Sequence, residues 1–213
     1  MADEVQSSID FWIHTYCPRE EIITDDWLDQ FSDIIKASTL PIIDLGCGGG
    51  NNTKTLVEMG KQVICCDQSI NCINDIQKNF PEVTTRLMNM LHGFDFSDNS
   101  IEVIIADLSL HYFRTSDTKR ILAELKRILV PGGHIFLRVN TMDDVNHGAG
   151  VGEEIEPHLY LTKGGFLKRF FDEEDVRSVF DSFEIEFMEK QKMLRYKSDK
   201  SVFCVALKNL EAV

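Results

Sequence analysis

No apolar stretch of this sequence comes near the ~20 residues that a membrane-spanning helix requires. The opening Met1-Ala2-Asp3-Glu4 is acidic and has neither the basic nor the apolar region of a signal peptide, so a cytoplasmic protein is the default expectation. Basic residues are scarce: 22 Lys and Arg stand against 35 Asp and Glu, a formal net charge of −13. Displacing counterions from nucleic acid, or holding an anionic bilayer, calls for a basic footprint that is missing, so neither is an expected partner. The short basic pieces Lys119-Arg120 and Lys126-Arg127 lie on a helical pattern with an apolar opposite face, which reads as a solvated surface. No two cysteines form a Cys-x-x-Cys pair. Cys17, Cys47, Cys65, Cys66, Cys72 and Cys204 are scattered, and Cys65-Cys66 sit in an apolar run whose alternation sends neighbours to opposite faces. Buried reduced thiols are therefore expected, without a disulfide or a metal site. Neither a metal motif nor a Ser/His/Asp pattern suggests hydrolysis, and no repeat or linker divides the 213 residues into two domains.

What is present centres on Pro41-Ile42-Ile43-Asp44-Leu45-Gly46-Cys47-Gly48-Gly49-Gly50-Asn51-Asn52-Thr53. An apolar run ends in an acid, alternating glycines follow, and a helical pattern begins. That order reads as strand, tight turn and helix, with main chain bared to a ligand and unpaired N–H groups at the helix start. The turn of dinucleotide enzymes, Gly-x-Gly-x-x-Gly, fails in both registers: from Gly46 the last glycine is replaced by Asn51, and from Gly48 by Thr53.

Apolar strand runs alternate with helical patterns five times along residues 40–139, the signature of a parallel sheet covered on both faces. Strands are expected near 40–45, 62–66, 83–88, 101–106 and 134–139, with a Pro131-Gly132-Gly133 turn before the last. Helices are expected at 52–60, 69–79 and 116–129. Before them, residues 1–38 form a helical cap, with a helix starting at Thr24-Asp25-Asp26 and running through Lys36. Residues 140–171 break the alternation and are expected as a long insertion or lid on the substrate side. A helix opening at Asp172 and two strands, 183–188 and 201–207, close the chain, the strands paired antiparallel across a connection at 189–200. In such a sheet ligands gather beyond the carboxyl ends of the strands, where strand order reverses.

The motif Asp44-x-Gly46-x-Gly48-x-Gly50 closely resembles the first motif of class I S-adenosyl-methionine-dependent methyltransferases. Three further segments are similar to that family in the same order: Asp95 to Ile105 entering the fourth strand, Leu108-Ser109-Leu110-His111-Tyr112-Phe113 after it, and Leu129-Val130-Pro131-Gly132-Gly133-His134 entering the fifth. The chain after 140 more distantly resembles tellurite-resistance-type and related small-molecule enzymes. The resemblance implies a single Rossmann-like α/β domain over 1–213: a seven-stranded, mostly parallel sheet with an antiparallel last strand and helices on both faces. It further implies S-adenosyl-L-methionine as cofactor, S-adenosyl-L-homocysteine as product, and a small-molecule acceptor.

Carried onto these residues, the family pattern puts Gly46, Cys47, Gly48 and Asn51 around the amino-acid tail of the cofactor, and Asp44 either anchors the loop or meets the cofactor's ammonium group through water. Asp67, about 20 residues beyond Gly46, with Gln68, would meet the ribose hydroxyls. Asn89, Met90, Leu91 and Leu108 would line the remainder. Many family members have an acid where this chain has Asn89; an asparagine oxygen can accept the same hydrogen bond. Candidate proton acceptors are His111, Asp107 and Tyr112. Candidate substrate contacts are Trp12, Tyr16, Arg138 and Tyr160. Three alternatives stay open at this point: a non-catalytic S-adenosyl-methionine-binding or regulatory protein, an NAD-dependent oxidoreductase, and a protein or RNA methyltransferase; monomer and homodimer both stay open as the oligomeric state.

Overall fold

Ile42 and Ile43 are adjacent and both fully buried, which only a strand covered on both faces allows. In the computed structural model, which describes residues 21–210, Ile42 packs with Trp27, Phe31 and Val63 on one side of the sheet. Ile43 packs with Ile104, Leu122 and Val139 on the other. Cys65 and Cys66 divide between the same two cores, as strand alternation requires. The expected roles of Trp12 and Tyr16 fall outside the described residues.

The sheet is built from β1 (Ile42–Leu45), β2 (Val63–Asp67), β3 (Thr84–Leu87), β4 (Ile101–Asp107), β5 (Leu129–Asn140), β9 (Glu184–Met193) and β10 (Lys200–Lys208), in the order β3-β2-β1-β4-β5-β10-β9. The strands from β3 to β5 are mutually parallel, and β10 runs antiparallel to both β5 and β9. The helices between them are α2 (Asn51–Glu58), α3 (Ile70–Asn79) and α4 (Thr115–Ile128), with α5 (Glu173–Val179) before β9. On α4, Ile121, Leu122, Leu125 and Ile128 are buried at helical spacing. On the edge strand β9, Glu184 and Glu186 are exposed, but Ile185 packs on one face of the sheet and Phe187 on the other, because a bulge leaves Glu186 unpaired between Leu207↔Ile185 and Ala206↔Phe187.

Three stretches depart from the sequence expectations. The helix expected from 24 to 36 is a 3-10 turn, Asp29–Phe31, followed by the short α1 (Ser32–Ala37). Asp25 does not start a helix because its carboxylate is drawn to the Arg138 guanidinium, 2.6 Å away. The Pro131-Gly132-Gly133 turn is absorbed into β5, at the cost of a register shift against β4 between Ile101 and Val103. The insertion after 140 is not irregular: β6 (Glu153–Glu156), β7 (Leu159–Leu161) and β8 (Leu167–Arg169) form a small antiparallel sheet. It is docked by Glu156, which accepts from the Thr115 N–H at 2.9 Å at the start of α4 and from Arg169 Nη2 at 2.7 Å. Among the described residues no helix is long and apolar enough to cross a membrane.

Phe136 is fully buried and stacks on Phe31, ring centroids 4.3 Å apart, joining the N-terminal turn to the centre of the sheet. Phe136→Ala should cost about 3–5 kcal/mol in a urea unfolding titration; a loss under about 1 kcal/mol would show that this contact does not hold the turn in place.

Candidate functional site

The strand order reverses between β1 and β4, and the carboxyl ends of β1, β2, β3 and β4 open onto one cavity of about 380 Å³. Of the residues expected around a cofactor, Gly46, Cys47, Gly48, Asn51, Asp67, Gln68, Met90, Leu91 and Leu108 all line it. Asp107 and Tyr112 line it as well.

The turn that frames this cavity depends on glycine for packing as much as for ligand access. Gly46 has φ +74°, and a Cβ there would stand 2.5 Å from Ser109 Cβ. Gly50 has φ +88°, and a Cβ would meet Ile76 Cδ1 at 2.7 Å and Phe80 Cε2 at 2.9 Å. The first lets the loop after β4 close over the turn; the second lets α3 close beneath it. Gly48 donates its N–H to Asp67 Oδ2 at 3.0 Å, while Ser69 N–H donates to Oδ1 at 2.9 Å. Burial raises the Asp67 carboxyl above its ordinary value, opposed by the main-chain donors of Ser69, Gly48 and Gln68. The cap of α3 is Ser69, so Asp67 is left facing the cavity.

Several expected residues lie elsewhere. Asp44 is fully buried beneath the turn, outside the cavity lining, where its Oδ2 accepts from Thr53 Oγ1 at 2.6 Å. It anchors α2 to the turn. Its Oδ1 has no partner among the described residues, and burial pushes its carboxyl up to about 7. Asn89 turns its side chain back to accept from the Leu91 N–H at 2.9 Å, and Met88, Met90 and Leu91 line the cavity in its place. Arg138 is 2% exposed and lies behind the cavity wall, with its guanidinium 4.4 Å from the Trp27 ring. Tyr160 packs on Phe170 and Ala149 in a separate cluster within the insertion.

The three candidate proton acceptors separate sharply. His111 is buried, does not line the cavity, and packs against Tyr112 with ring centroids 4.1 Å apart and the planes tilted by 49°. Burial, with help from the nearby Lys168 and Lys200 charges, holds its imidazole well below the usual histidine value, so it stays neutral. Asp107 receives Arg138 Nε and Nη2 at 2.8 Å each, Asn52 Nδ2 at 3.3 Å, and an Arg195 guanidinium nitrogen. Burial by itself would raise its carboxyl, but the charges of Arg138 and Arg195 outweigh it and hold it far below the ordinary carboxylate range. A carboxylate so held is a poor base. Tyr112 reaches the cavity.

Sequence reasoning missed Leu167, Arg195 and Tyr196 and gave no role to Asn52 and Ser109, all of which line the cavity. Asn52 could have been found, since it follows the glycines directly and bridges Trp27 Nε1, at 3.0 Å, to Asp107. Arg195 and Tyr196 had no local signal; they arrive from the turn between β9 and β10.

A parallel sheet with helices on both faces, a glycine turn after its first strand and an acid ending its second define a Rossmann-like nucleotide-cofactor domain. Residues 42–133 match the family profile described as a methyltransferase domain. Over those residues the chain is similar to that methyltransferase family, in line with the resemblance carried by its glycine turn. An uncharacterized methyltransferase of Mycobacterium tuberculosis is 29% identical over 119 residues, covering 56% of this chain and 45% of that protein. A Gallus gallus protein named tRNA N(3)-cytidine methyltransferase METTL2 is 24% identical over 151 residues, covering 65% of this chain and 41% of its own length. The chain thus spans less than half the length of these curated relatives. Among solved structures, a methyltransferase of Methanosarcina mazei superposes with a TM-score of 0.69 at 18% identity, over 80% of this chain and 92% of its own. The 1,6-didemethyltoxoflavin-N1-methyltransferase of Burkholderia thailandensis superposes with a TM-score of 0.65 at 18% identity, over 87% and 79%. These two likenesses concern the fold.

The buried Asp44 carboxyl gives a signed expectation. Between its ordinary value of 3.8 and about 7 it keeps a proton in the folded chain that the unfolded chain has lost, so stability falls as pH rises through that window. Asp44→Asn retains an acceptor for Thr53 and abolishes the titration. Relative to wild type, without added ligand, it should gain about 1 kcal/mol or more between pH 4 and pH 8 in urea titrations; parallel pH profiles would refute the assignment.

Proposed function

We propose that this protein is an enzyme that transfers a methyl group from S-adenosyl-L-methionine to a small-molecule acceptor. The observation that carries this reading is the convergence of Gly46, Gly48, Asp67, Met90 and Leu91 on one cavity at the strand-order reversal. The cavity suits the cofactor chemically. Asp67 offers acceptor oxygens for ribose hydroxyls, Met88, Met90 and Leu91 an apolar bed for adenine, and Gly46 to Gly48 with Asn51 exposed main chain and an amide for an amino-acid tail. The buried Ser109 hydroxyl, without a partner among the described residues, adds a further polar group at the lining. When bound, the cofactor supplies an already activated methyl group on a sulfonium.

What remains for the chain is to align the acceptor and keep water away. Asp107 is committed to two guanidinium groups and His111 is sealed from the cavity, so neither serves as the proton acceptor in this reading. The acceptor atom then arrives with its lone pair free, or loses its proton near Tyr112. The relatives named as tRNA methyltransferases raise an RNA acceptor as the second reading. The excess of 35 acidic over 22 basic residues favours a small molecule, because an RNA backbone must displace its counterions onto basic groups. A place in the cytoplasm belongs to the same proposal.

Calorimetry should show S-adenosyl-homocysteine binding to the wild-type protein in preference to NAD and NADP. Asp67→Ala should weaken that binding about 10–100-fold, the worth of hydrogen bonds to a charged group. Folded wild-type protein that binds no S-adenosyl-homocysteine would sink the proposal.

A further inference from the structure

The β3 end of the cavity is an apolar bed with little to read a base. Met88, Met90 and Leu91 offer surface to a flat ring, but thioether and alkyl side chains do not tell an amino group from an oxo group. Asn89 stands among them in sequence, yet it is committed to local structure. Its Oδ1 accepts from the Leu91 N–H at 2.9 Å and its carbonyl from the His92 N–H at 3.0 Å, which caps and closes a 3-10 turn, Met90–His92. Asn89 does not line the cavity.

A carboxylate reaches this end from another element. Asp117 lies in the first turn of α4 and lines the cavity. Two observations place it beside the bed. One turn further along the same helix face, Ile121 is buried in the core on which Met88, Met90 and Leu91 pack. Arg120 Nη2 stands 3.5 Å from Asp117 Oδ1 and donates to the Leu91 carbonyl at 3.4 Å, so one guanidinium nitrogen spans the carboxylate and the bed. The Asp117 side chain is 22% exposed and the Arg120 side chain 65%. An ion pair at that distance with an exposed guanidinium is weak, and it leaves carboxylate oxygens open to a ligand's donor. The helix dipole favours an acid in a first turn wherever it points; it does not account for one that lines the cavity.

We propose that Asp117 accepts a hydrogen bond from the exocyclic amino group of the cofactor's adenine and thereby sets the base preference of this cavity. The proposal rests on the methyltransferase reading above and deepens it by naming the residue that reads the base. An ionised carboxylate offers acceptors only, and the adenine amino group offers donors. An oxo group at the same ring position sets lone pair against lone pair. The hydrogen bond to Asp117 is charge-assisted, so it outweighs a neutral one of the same length. The apolar bed supplies affinity for any flat base, and the carboxylate from α4 supplies the selection that Asn89 does not.

The test uses the full chain and calorimetric titrations with three compounds: S-adenosyl-homocysteine, its analogue with unsubstituted purine in place of adenine, and S-inosyl-homocysteine. Wild type should bind S-adenosyl-homocysteine at least about tenfold more tightly than either analogue. Asp117→Ala should bring the adenosyl and purine compounds within about threefold of each other, by weakening the first. Asp117→Asn, whose amide can turn to donate, should narrow the gap to S-inosyl-homocysteine by at least about threefold. Asn89→Ala removes the cap of the 3-10 turn and should keep the wild-type ratios while weakening all three compounds together. Ratios taken within one protein do not register a general loss of folded chain. A wild-type preference under about threefold, a preference that survives Asp117→Ala, or one that is lost in Asn89→Ala overturns the proposal. An inosyl gap unchanged in Asp117→Asn overturns it as well. Wild-type protein that is folded and binds none of the three compounds instead overturns the reading beneath it.

Discussion

The site depends on a buried cluster of four charges: Asp107, Arg138, Asp25 and Arg195. Asp107 and Arg138 are cross-strand neighbours on β4 and β5. Asp25 comes from the segment before α1, and Arg195 from the turn before β10. The two carboxylates and two guanidinium groups compensate one another, and Asn52 and Trp27 extend the cluster to the glycine turn. Such a cluster is a weak source of net stability, because desolvation offsets most of the attraction, yet removing one member strands a buried charge at a cost of about 3–5 kcal/mol. It therefore acts chiefly as a geometric constraint. Four segments distant in sequence must all be in place before any one of these charges is acceptable in the interior.

That constraint changes the chemistry available to Asp107. At the end of the fourth strand, facing a cavity, a carboxylate invites the role of a base. Flanked by two guanidinium groups it is a fixed anion instead. Likewise His111, two residues beyond Ser109, is turned inward, and burial keeps it neutral. The cavity is thus better equipped to hold and orient than to move protons, which suits a donor that is already activated.

The glycine turn shows how one motif serves two purposes. Gly46 and Gly48 bare main chain toward the cavity, but the immediate steric neighbours of Gly46 and Gly50 are Ser109, Ile76 and Phe80. The absence of a side chain is demanded by packing of the protein on itself. The same absence brings Gly48 N–H within reach of Asp67, so the turn and the end of β2 are locked into one unit.

Most of the architecture could be read along the chain, because strands buried on both faces and helices with an apolar stripe declare themselves by period alone. The glycine turn, Asp67, Met90, Leu91 and Leu108 were legible for the same reason: each follows directly from a strand end, and parallel strands bring their carboxyl ends to one edge. Period does not report partners. Asp25 looks like a helix start until Arg138 claims it, and Arg138 looks like an anion-binding group until Asp107 and Asp25 neutralise it. The 140–171 insertion hid a sheet because its strands are too short to show alternation. Arg195 and Tyr196 occupy a polar turn with no motif, and only the antiparallel return of β10 beside β5 carries them to the cavity. Local order thus follows from neighbours in the chain, whereas the charge state and orientation of the site's side chains follow from neighbours in space, and no linear pattern records those.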